Sequence, residues 1–229
     1  MKTAIVIPAH NESGTLAEVI RRIDCPDEWR AVVVDDGSSD GSGELARQLD
    51  GVTVLTHDVA RGYGAALVTG FDYALSNGFD FIVTLDADLQ HVPEMVRQLI
   101  SRLEDAEIVT GTRWHRESEV RVVAPAARRE MNRRVLKLVR DHAGFDLTDA
   151  MCGFRAYRAE TVRLMALSEP GYGINFQIWA RASKLGLRVV EVPVPVIYPE
   201  VARPIGGGLD DSEVRFAYYE KVILRELGG

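Results

Sequence analysis

Two aspartates one residue apart, Asp86-Ala87-Asp88, follow a strongly hydrophobic strand-like run, residues 81–85. If that run is a buried strand, both carboxylates emerge at its end, and neither can enter the core without a partner. A hard divalent cation with oxygen ligands relieves their repulsion, and magnesium held this way commonly binds substrate phosphates as well. Gln90 can supply a further oxygen, and His91 lies beside it. A second acidic cluster, Asp35-Asp36-Gly37-Ser38, follows the apolar run 31–34. Carboxylates at such a strand end bind ribose hydroxyls or a base edge. The same residues serve equally as a turn leading into a helix cap.

Other groups bring positive charge or backbone donors. Arg61-Gly62-Tyr63-Gly64-Ala65-Ala66 is glycine-rich and leads into a helical stretch, so its amides either meet a phosphate or form a structural turn. No Gly-Lys-Ser/Thr follows, and the helix does not follow the first strand, so neither a Walker loop nor a dinucleotide fingerprint is present. Arg113 closes another strand-like run through Gly111-Thr112 and heads a series comprising Arg116, Arg121, Arg128, Arg129, Arg133 and Arg134. Arginines beside a metal site neutralise phosphate, whereas Arg133 and Arg134 read as a solvated helix face. Asp149 and Arg155 flank a turn at Gly153. Asp149 is a candidate base or acceptor-orienting group, and Arg155 pairs with it, with phosphate, or forms only a local salt bridge. The five histidines show no zinc-site spacing, and no G-x-S-x-G nucleophile elbow occurs.

The elements that position these residues alternate through the first half. Strands are expected at 3–7, 31–34, 52–56, 81–85 and 107–110, and helices at 15–23, 41–49, 65–76 and 93–103. The strands are nearly continuous apolar runs, as parallel strands covered on both faces are. Strand–helix alternation at this spacing means a doubly wound α/β sheet. Such sheets bind ligands outside the carboxyl ends of their strands, where the polar clusters fall. Ser39 and Asp40 are candidate caps for the second helix, and Pro93 suits a first helical turn. The second half is less regular. It offers a basic helix at 128–142, a helix at 175–184, a strand at 188–192 and a proline-rich extended piece at 193–204. Gly206-Gly207-Gly208 then forms a joint before a final helix at 212–227. With no repeat and no low-complexity linker, one domain over 1–229 is expected.

Composition narrows the class. The 229 residues are 46% apolar and 27% charged, values of a soluble globular protein. A net charge of −7 argues against a general nucleic-acid binder, so no nucleic-acid partner is expected. Cys25 and Cys152 have no metal-ligand spacing and read as reduced cytosolic thiols. The apolar opening is too short for a signal segment and lacks a cleavage-like site. Nowhere do ~18 apolar residues run together, so no membrane-spanning helix is expected. The expectation is a cytoplasmic protein able to touch the inner membrane face peripherally without spanning it.

Taken together, these clusters resemble the inverting family-two glycosyltransferases of GT-A fold. The likeness is strongest to dolichyl-phosphate mannose synthases and bacterial polyprenyl-phosphate sugar transferases. It is carried by Ile7-Pro8-Ala9-His10-Asn11-Glu12, Val34-Asp35-Asp36-Gly37-Ser38, Arg61-Gly62-Tyr63-Gly64-Ala65-Ala66 and Asp86-Ala87-Asp88-Leu89-Gln90-His91-Val92-Pro93-Glu94. Gly111-Thr112-Arg113 and Cys152-Gly153-Phe154-Arg155 complete it, with an extension to Glu191-Val192-Pro193-Val194. The resemblance implies a mostly parallel central sheet flanked by helices, with a nucleotide-sugar and metal half (1–115) and an acceptor half (116–229). It implies that Pro8, His10, Glu12, Val34 and Ala87 line a nucleotide pocket and that Asp36 contacts base or ribose. Asp86 contacts the donor and shares the metal, while Asp88 and Gln90 hold magnesium or manganese against the diphosphate. Arg113 contacts phosphate or sugar, Arg128 or Arg129 the acceptor phosphate, and Asp149 sits near the acceptor as a base. Asp88, Arg113 and Asp149 are thus the implied catalytic set.

The activity so implied moves a hexose from a GDP- or UDP-sugar to a polyprenyl phosphate, dolichyl or undecaprenyl. The lipid-phosphate enzymes tend to carry an Arg-x-x-Gly-x-Ser-Lys element that closes over the donor. Here Arg203-Pro204-Ile205-Gly206-Gly207-Gly208-Leu209 lacks the serine and lysine, and Asp210-Asp211 follow. Arg203 remains as the donor-phosphate contact, and transfer to a soluble or glycan hydroxyl is the second reading. A nucleotidyltransferase also places a metal at a strand end, but it opens with a glycine-rich basic loop, which Pro8-Ala9-His10-Asn11-Glu12 is not. A non-catalytic nucleotide-sugar binding module is the remaining alternative.

Overall fold

The computed structural model describes residues 1–120, 122–197 and 208–228. Arg121, Arg203, Gly206 and Gly207, all singled out in the sequence, lie outside the described residues. The first half winds as its pattern requires. β1 (Thr3–Ala9) leads through α1 (Leu16–Arg21) to β2 (Trp29–Asp36), and α2 (Ser42–Arg47) leads to β3 (Val52–His57). α3 (Tyr63–Ser76) then crosses to β4 (Phe81–Thr84), and a 3-10 turn at Pro93–Met95 opens α4 (Val96–Ser101) before β5 (Ile108–Thr112). β2 runs further than expected, so Asp35 and Asp36 belong to the strand itself.

The second half contributes α5 (Ala126–Ala143), β6 (Arg155–Arg158), α6 (Ala159–Met165), α7 (Ile174–Lys184), β7 (Val189–Pro193) and α8 (Ser212–Leu227). β6 and α6 were not expected. β6 is four residues long with an arginine at each end, so it lacks the apolar run that marked the other strands. It lies antiparallel between β4 and β5, and the other pairings are parallel. The seven strands are ordered β3-β2-β1-β4-β6-β5-β7. After β1 the chain builds outward through β2 and β3, then returns to add β4 on the other side. The ends of β1 and β4 therefore bound the switch point where such sheets open a crevice.

Strand alternation sorts the core into two layers. Ala4, Val6, Val32, Val34, Ile82 and Tyr157 face α3, α5, α6, α7 and α8. Ile5, Ile7, Ala31, Val33, Val83 and Ala156 face α1, α2 and α4. All are almost wholly enclosed, and each valine or isoleucine among them contributes about 1.5–3 kcal/mol by burial. The covered faces leave the carboxyl ends of the strands as the place for polar side chains. Asp211, next to the missing Ser-Lys element, caps α8 by accepting from the amides of Glu213 and Val214 at 2.8 and 3.0 Å.

Candidate active site

The floor of the crevice is the end of β4. Leu85 still donates its amide to Val6 O at 3.0 Å, and Asp86 follows at the open end. Tyr63, first residue of α3, donates its hydroxyl to Asp86 Oδ1 at 3.0 Å. Thr84 Oγ1 donates to Gly153 O at 2.6 Å and draws that turn against the floor. A Cβ on Gly153 would sit 2.8 Å from both Asp86 Oδ2 and the Tyr63 hydroxyl, so glycine is the residue the contact allows. His91 is buried and stacked on Phe154, with ring centroids 5.2 Å apart. Its Nδ1 faces the Asp86 amide at 3.4 Å and Asp86 Oδ2 at 3.7 Å. Burial pushes its imidazole down to about 4, so the ring is neutral near pH 7.

Asp88 accepts the Gln90 amide on Oδ1 at 3.0 Å and the Gln90 side-chain amide on Oδ2. The loop reaches this geometry through Leu89 at φ +62, a left-handed position that L side chains rarely adopt. Burial raises the pKa of both Asp86 and Asp88, and the negative charge of Asp86 raises Asp88 further. Glu12 adds to the same repulsion at both. A cation would relieve this charge. The donors on hand, two carboxylates and the Gln90 amide oxygen once turned inward, are hard oxygens of the kind magnesium and manganese take. Among the described residues no three His, Cys, Asp or Glu side chains converge on a metal position. The donors present fit a hard divalent ion, and among the described residues they do not form a closed protein cage.

One wall is built by the loops after β1 and β2. His10 Nδ1 lies 2.7 Å from Asp36 O, and Asn11, at φ +56, accepts the Ser39 amide on Oδ1 at 2.9 Å. Glu12 donates its amide to Ser42 Oγ at 2.8 Å, and its carboxylate accepts the Thr15 hydroxyl at 2.8 Å. Asp40 accepts the amides of Ser13 and Ser42 at 2.9 and 3.0 Å and ties the two loops together.

Asp36, expected at the base or ribose, is bonded by the chain's own donors. Its Oδ1 accepts His57 Nδ1 at 2.6 Å and the Arg61 amide at 2.8 Å, and Oδ2 accepts the Gly62 amide at 2.8 Å. Burial disfavours its charge, but the two amides and the His57 ring outweigh that and hold its pKa below the ordinary value. Pro8, Val34 and Ala87, also expected at the nucleotide pocket, are buried at or just beyond the ends of their strands. Of the expected nucleotide set, His10, Glu12 and Asp86 present exposed or half-buried side chains.

The facing wall is organised around Arg113. Its Nε donates to Asp149 Oδ2 at 2.7 Å, its Nη2 to Oδ1 at 3.1 Å and its own amide to Oδ2 at 3.2 Å. Asp149 is fully buried and also accepts the Met151 amide. Its two oxygens are therefore occupied, which suits a group that orients Arg113 better than one that collects a proton. Asp149 is held in turn by Glu191, whose carboxylate accepts the amides of Thr148 and Asp149 at 2.9 and 3.0 Å and the Thr148 hydroxyl at 3.0 Å. Glu191 was quoted in the sequence only as part of a motif, and this clamp is the role that reading missed.

The local Asp149–Arg155 pair considered from sequence does not form. Arg155, almost wholly enclosed, bonds Asn175 Oδ1, Ala150 O and Thr110 Oγ1 and lies 4.6 Å over the Trp179 ring. Arg133 and Arg134 pair with Glu130 and Glu213 on the surface, as expected of a solvated face. Arg128, in the first turn of α5, has no carboxylate partner among the described residues and bears on Tyr172 together with Asp86 and Asp88. Tyr172 stacks on Tyr63 with centroids 5.0 Å apart, a contact the sequence reading did not anticipate.

The glycine-rich loop explains that stack. Cβ atoms on Gly62 and Gly64 would meet Pro170 O at 2.7 Å and Glu169 O at 2.1 Å. Ala65 donates its amide to Pro170 O at 2.9 Å. The loop is therefore the seat on which segment 169–173 rests, the structural alternative of the two readings. Cys25 and Cys152 are both free thiols, one exposed and one buried.

With this geometry in place, comparison with known proteins is specific. The profile of the family described as "Glycosyl transferase family 2" matches residues 4–163. An undecaprenyl-phosphate mannosyltransferase of Micrococcus luteus is 34% identical over 218 residues, 91% of this chain and 89% of the relative. A polyprenol monophosphomannose synthase of Mycolicibacterium smegmatis is 32% identical over 230 residues, 96% and 86% of the two chains. Among solved structures, glucosyl-3-phosphoglycerate synthase of Mycobacterium tuberculosis bound to UDP superposes with a TM-score of 0.74 at 24% identity, covering 99% of this chain and 80% of that one. That likeness establishes the fold, a GT-A sheet. The two carboxylates at a switch-point strand end, faced by an oriented arginine, sit in a chain that belongs to glycosyl transferase family 2 and is a glycosyltransferase.

Proposed function

We propose that this enzyme moves a hexose, with inversion, from a GDP- or UDP-sugar to a polyprenyl phosphate. Magnesium or manganese would be held by Asp86, Asp88 and Gln90. The observation that carries the reading is the pairing of opposite charges across one crevice: Asp86 and Asp88 on the floor, and Arg113, braced by Asp149, close enough to bear on Asp86. That arrangement suits a donor diphosphate on one side and an anionic acceptor on the other. The mannosyl relatives support the lipid phosphate as acceptor and make mannose the first sugar to try.

The bound cation would offset the charge that grows on the diphosphate as the bond to the anomeric carbon breaks. Arg113 and Arg128 would hold the acceptor phosphate so that one of its oxygens approaches the anomeric carbon from the face opposite the leaving group. A phosphate is already ionised near neutrality, so no carboxylate need remove a proton. Asp149 would then act by fixing the guanidinium of Arg113, two hydrogen bonds restraining its plane. Tyr63 would hold the Asp86 carboxylate at one rotamer through its hydroxyl.

The test is transfer of radiolabelled sugar from GDP-mannose or UDP-glucose, with manganese or magnesium, into lipid extracted by organic solvent. Label in that phase, lost with a chelator and with Asp88→Ala while the fold survives, is the expected result. Label confined to water-soluble product refutes the polyprenyl acceptor and favours the hydroxyl one. Full activity in Asp88→Ala refutes the metal assignment.

A further inference from the structure

Between Arg113 and Arg134 the chain carries seven arginines and three glutamates, in a protein of net charge −7. The same stretch exposes Val120, Val122 and Val123, at 65%, 44% and 76%. A single exposed valine needs no explanation, but three within four positions stand out beside the arginines at 116, 128 and 129, of which Arg116 also lies 3.8 Å from Glu117. The base of the segment is pinned. Ser118 Oγ donates to Thr112 O at 2.8 Å, and the Val196 amide donates to Glu119 O at 2.8 Å beside the Val120–Val196 bridge. Arg129 closes the far side by donating to Ala124 O at 2.5 Å. The patch therefore stands on a fixed base.

Beneath it runs a groove of about 240 Å³ lined by Trp114, Val123, Ala124, Val196, Arg129 and Arg113. The Trp114 indole N–H is buried there with no acceptor among the described residues. Since Arg113 lines both this groove and the crevice above, the patch is continuous with the candidate site. Arg116 stands beside it with its side chain 87% exposed.

We propose that Val122 and Val123 dock the enzyme on an anionic lipid bilayer. They enter the boundary between headgroups and acyl chains, while Arg116 and Arg129 meet lipid phosphates. The proposal rests on the polyprenyl-phosphate reading, which requires the crevice to open toward a membrane-borne acceptor. No described helix is long and apolar enough to cross a membrane, so among the described residues a surface contact is what can bring Arg113 to a lipid phosphate. Charge complementarity selects the occupant: arginines beside apolar side chains, on an otherwise acidic protein, match an anionic lipid surface.

The experiment is co-sedimentation of the whole chain with vesicles free of polyprenyl phosphate, made of phosphatidylcholine alone or mixed with phosphatidylglycerol. The wild type should sediment with the mixed vesicles and be released by added salt. Val122→Ser combined with Val123→Ser should weaken that binding about tenfold or more. The double variant should still transfer sugar to a water-soluble short-chain prenyl phosphate at the wild-type rate, which shows that it folds. Binding unchanged in the variant, or absent in the wild type, overturns the docking surface. Loss of short-chain transfer together with binding also overturns it, because the valines would then belong to the acceptor pocket. A wild type that sediments but uses no prenyl phosphate keeps the docking surface and removes the functional reading. One that uses the short-chain acceptor but never binds vesicles does the reverse.

Discussion

Asp149→Asn changes almost no shape and removes one charge from beneath Arg113. The pair is bidentate, with Arg113 11% exposed and Asp149 fully buried. Breaking a buried pair by removing one partner costs about 3–5 kcal/mol. Asparagine keeps one acceptor for Nε, and Arg113 can turn toward the crevice mouth, so the expected loss of stability is smaller, about 2 kcal/mol. For a chain of this length that lowers Tm by roughly 4–8 °C. The kinetic effect should be larger than the stability effect. A donor fixed for the transition state is worth about 2.7–4 kcal/mol when lost, so kcat/KM should fall on the order of a hundredfold. The decisive assay is a double-mutant cycle read as lipid-extractable product. Arg113→Lys keeps the charge and loses the fork geometry, so it should lose about as much as Asp149→Asn. The combined variant should then be little worse than either, because both changes disable one unit. If the two losses multiply, Asp149 acts independently of Arg113 and the positioning argument is wrong. Wild-type kcat/KM in Asp149→Asn would refute it outright.

Two further outcomes follow from the same geometry. Tyr63→Phe removes the bond to Asp86 Oδ1 and leaves the ring stack with Tyr172. It should lower kcat about tenfold at unchanged Tm, the scale of one hydrogen bond to a charged group; a drop in Tm with kcat intact would instead make the hydroxyl a packing element. Asp36 tests the sign of an acid effect. Its folded pKa is depressed, so its stabilisation is complete above the unfolded value of about 3.9 and fades as the pH falls through the folded value. Asp36→Asn should lower Tm at neutral pH and flatten the acid limb of Tm against pH; a variant that keeps the wild-type slope there removes Asp36 from the account.

How much of this was legible in the sequence depends on the range of each signal. β1 to β5 declared themselves because strands covered on both faces are apolar throughout, and the topology rule then placed the clusters at their carboxyl ends. The placement of Asp86, Asp88 and Gln90 just beyond a strand end was legible for the same reason, since their spacing is local. β6 was not. Its burial comes from lying between β4 and β5, and Arg155 is enclosed by Trp179, Asn175 and Thr110, none of which is near it in sequence. Asp36 shows the limit from the other side. A carboxylate at a strand end was read as a ligand contact, and nothing local in the sequence showed that its oxygens also take the chain's own donors, His57 Nδ1 and the amides of Arg61 and Gly62.

The choice of partner for Asp149 was the hardest to read, and it bears most on function. In sequence Arg155 lies six positions from Asp149, whereas Arg113 lies 36 away. Proximity along the chain favours Arg155, but Arg155 is committed to the interior and cannot turn. What aligns Asp149 with Arg113 is Glu191, 42 positions from Asp149 and placed by β7, which pairs in parallel with the strand that ends at Thr112. The Thr112 and Thr148 hydroxyls, 2.6 Å apart, close the link between the two segments. Glu191 lies beyond the family match at residues 4–163, so Arg113 takes its geometry from a strand outside that match. Variation in β7 can therefore shift the Arg113 side of the crevice while the floor at Asp86 and Asp88 stays as it is.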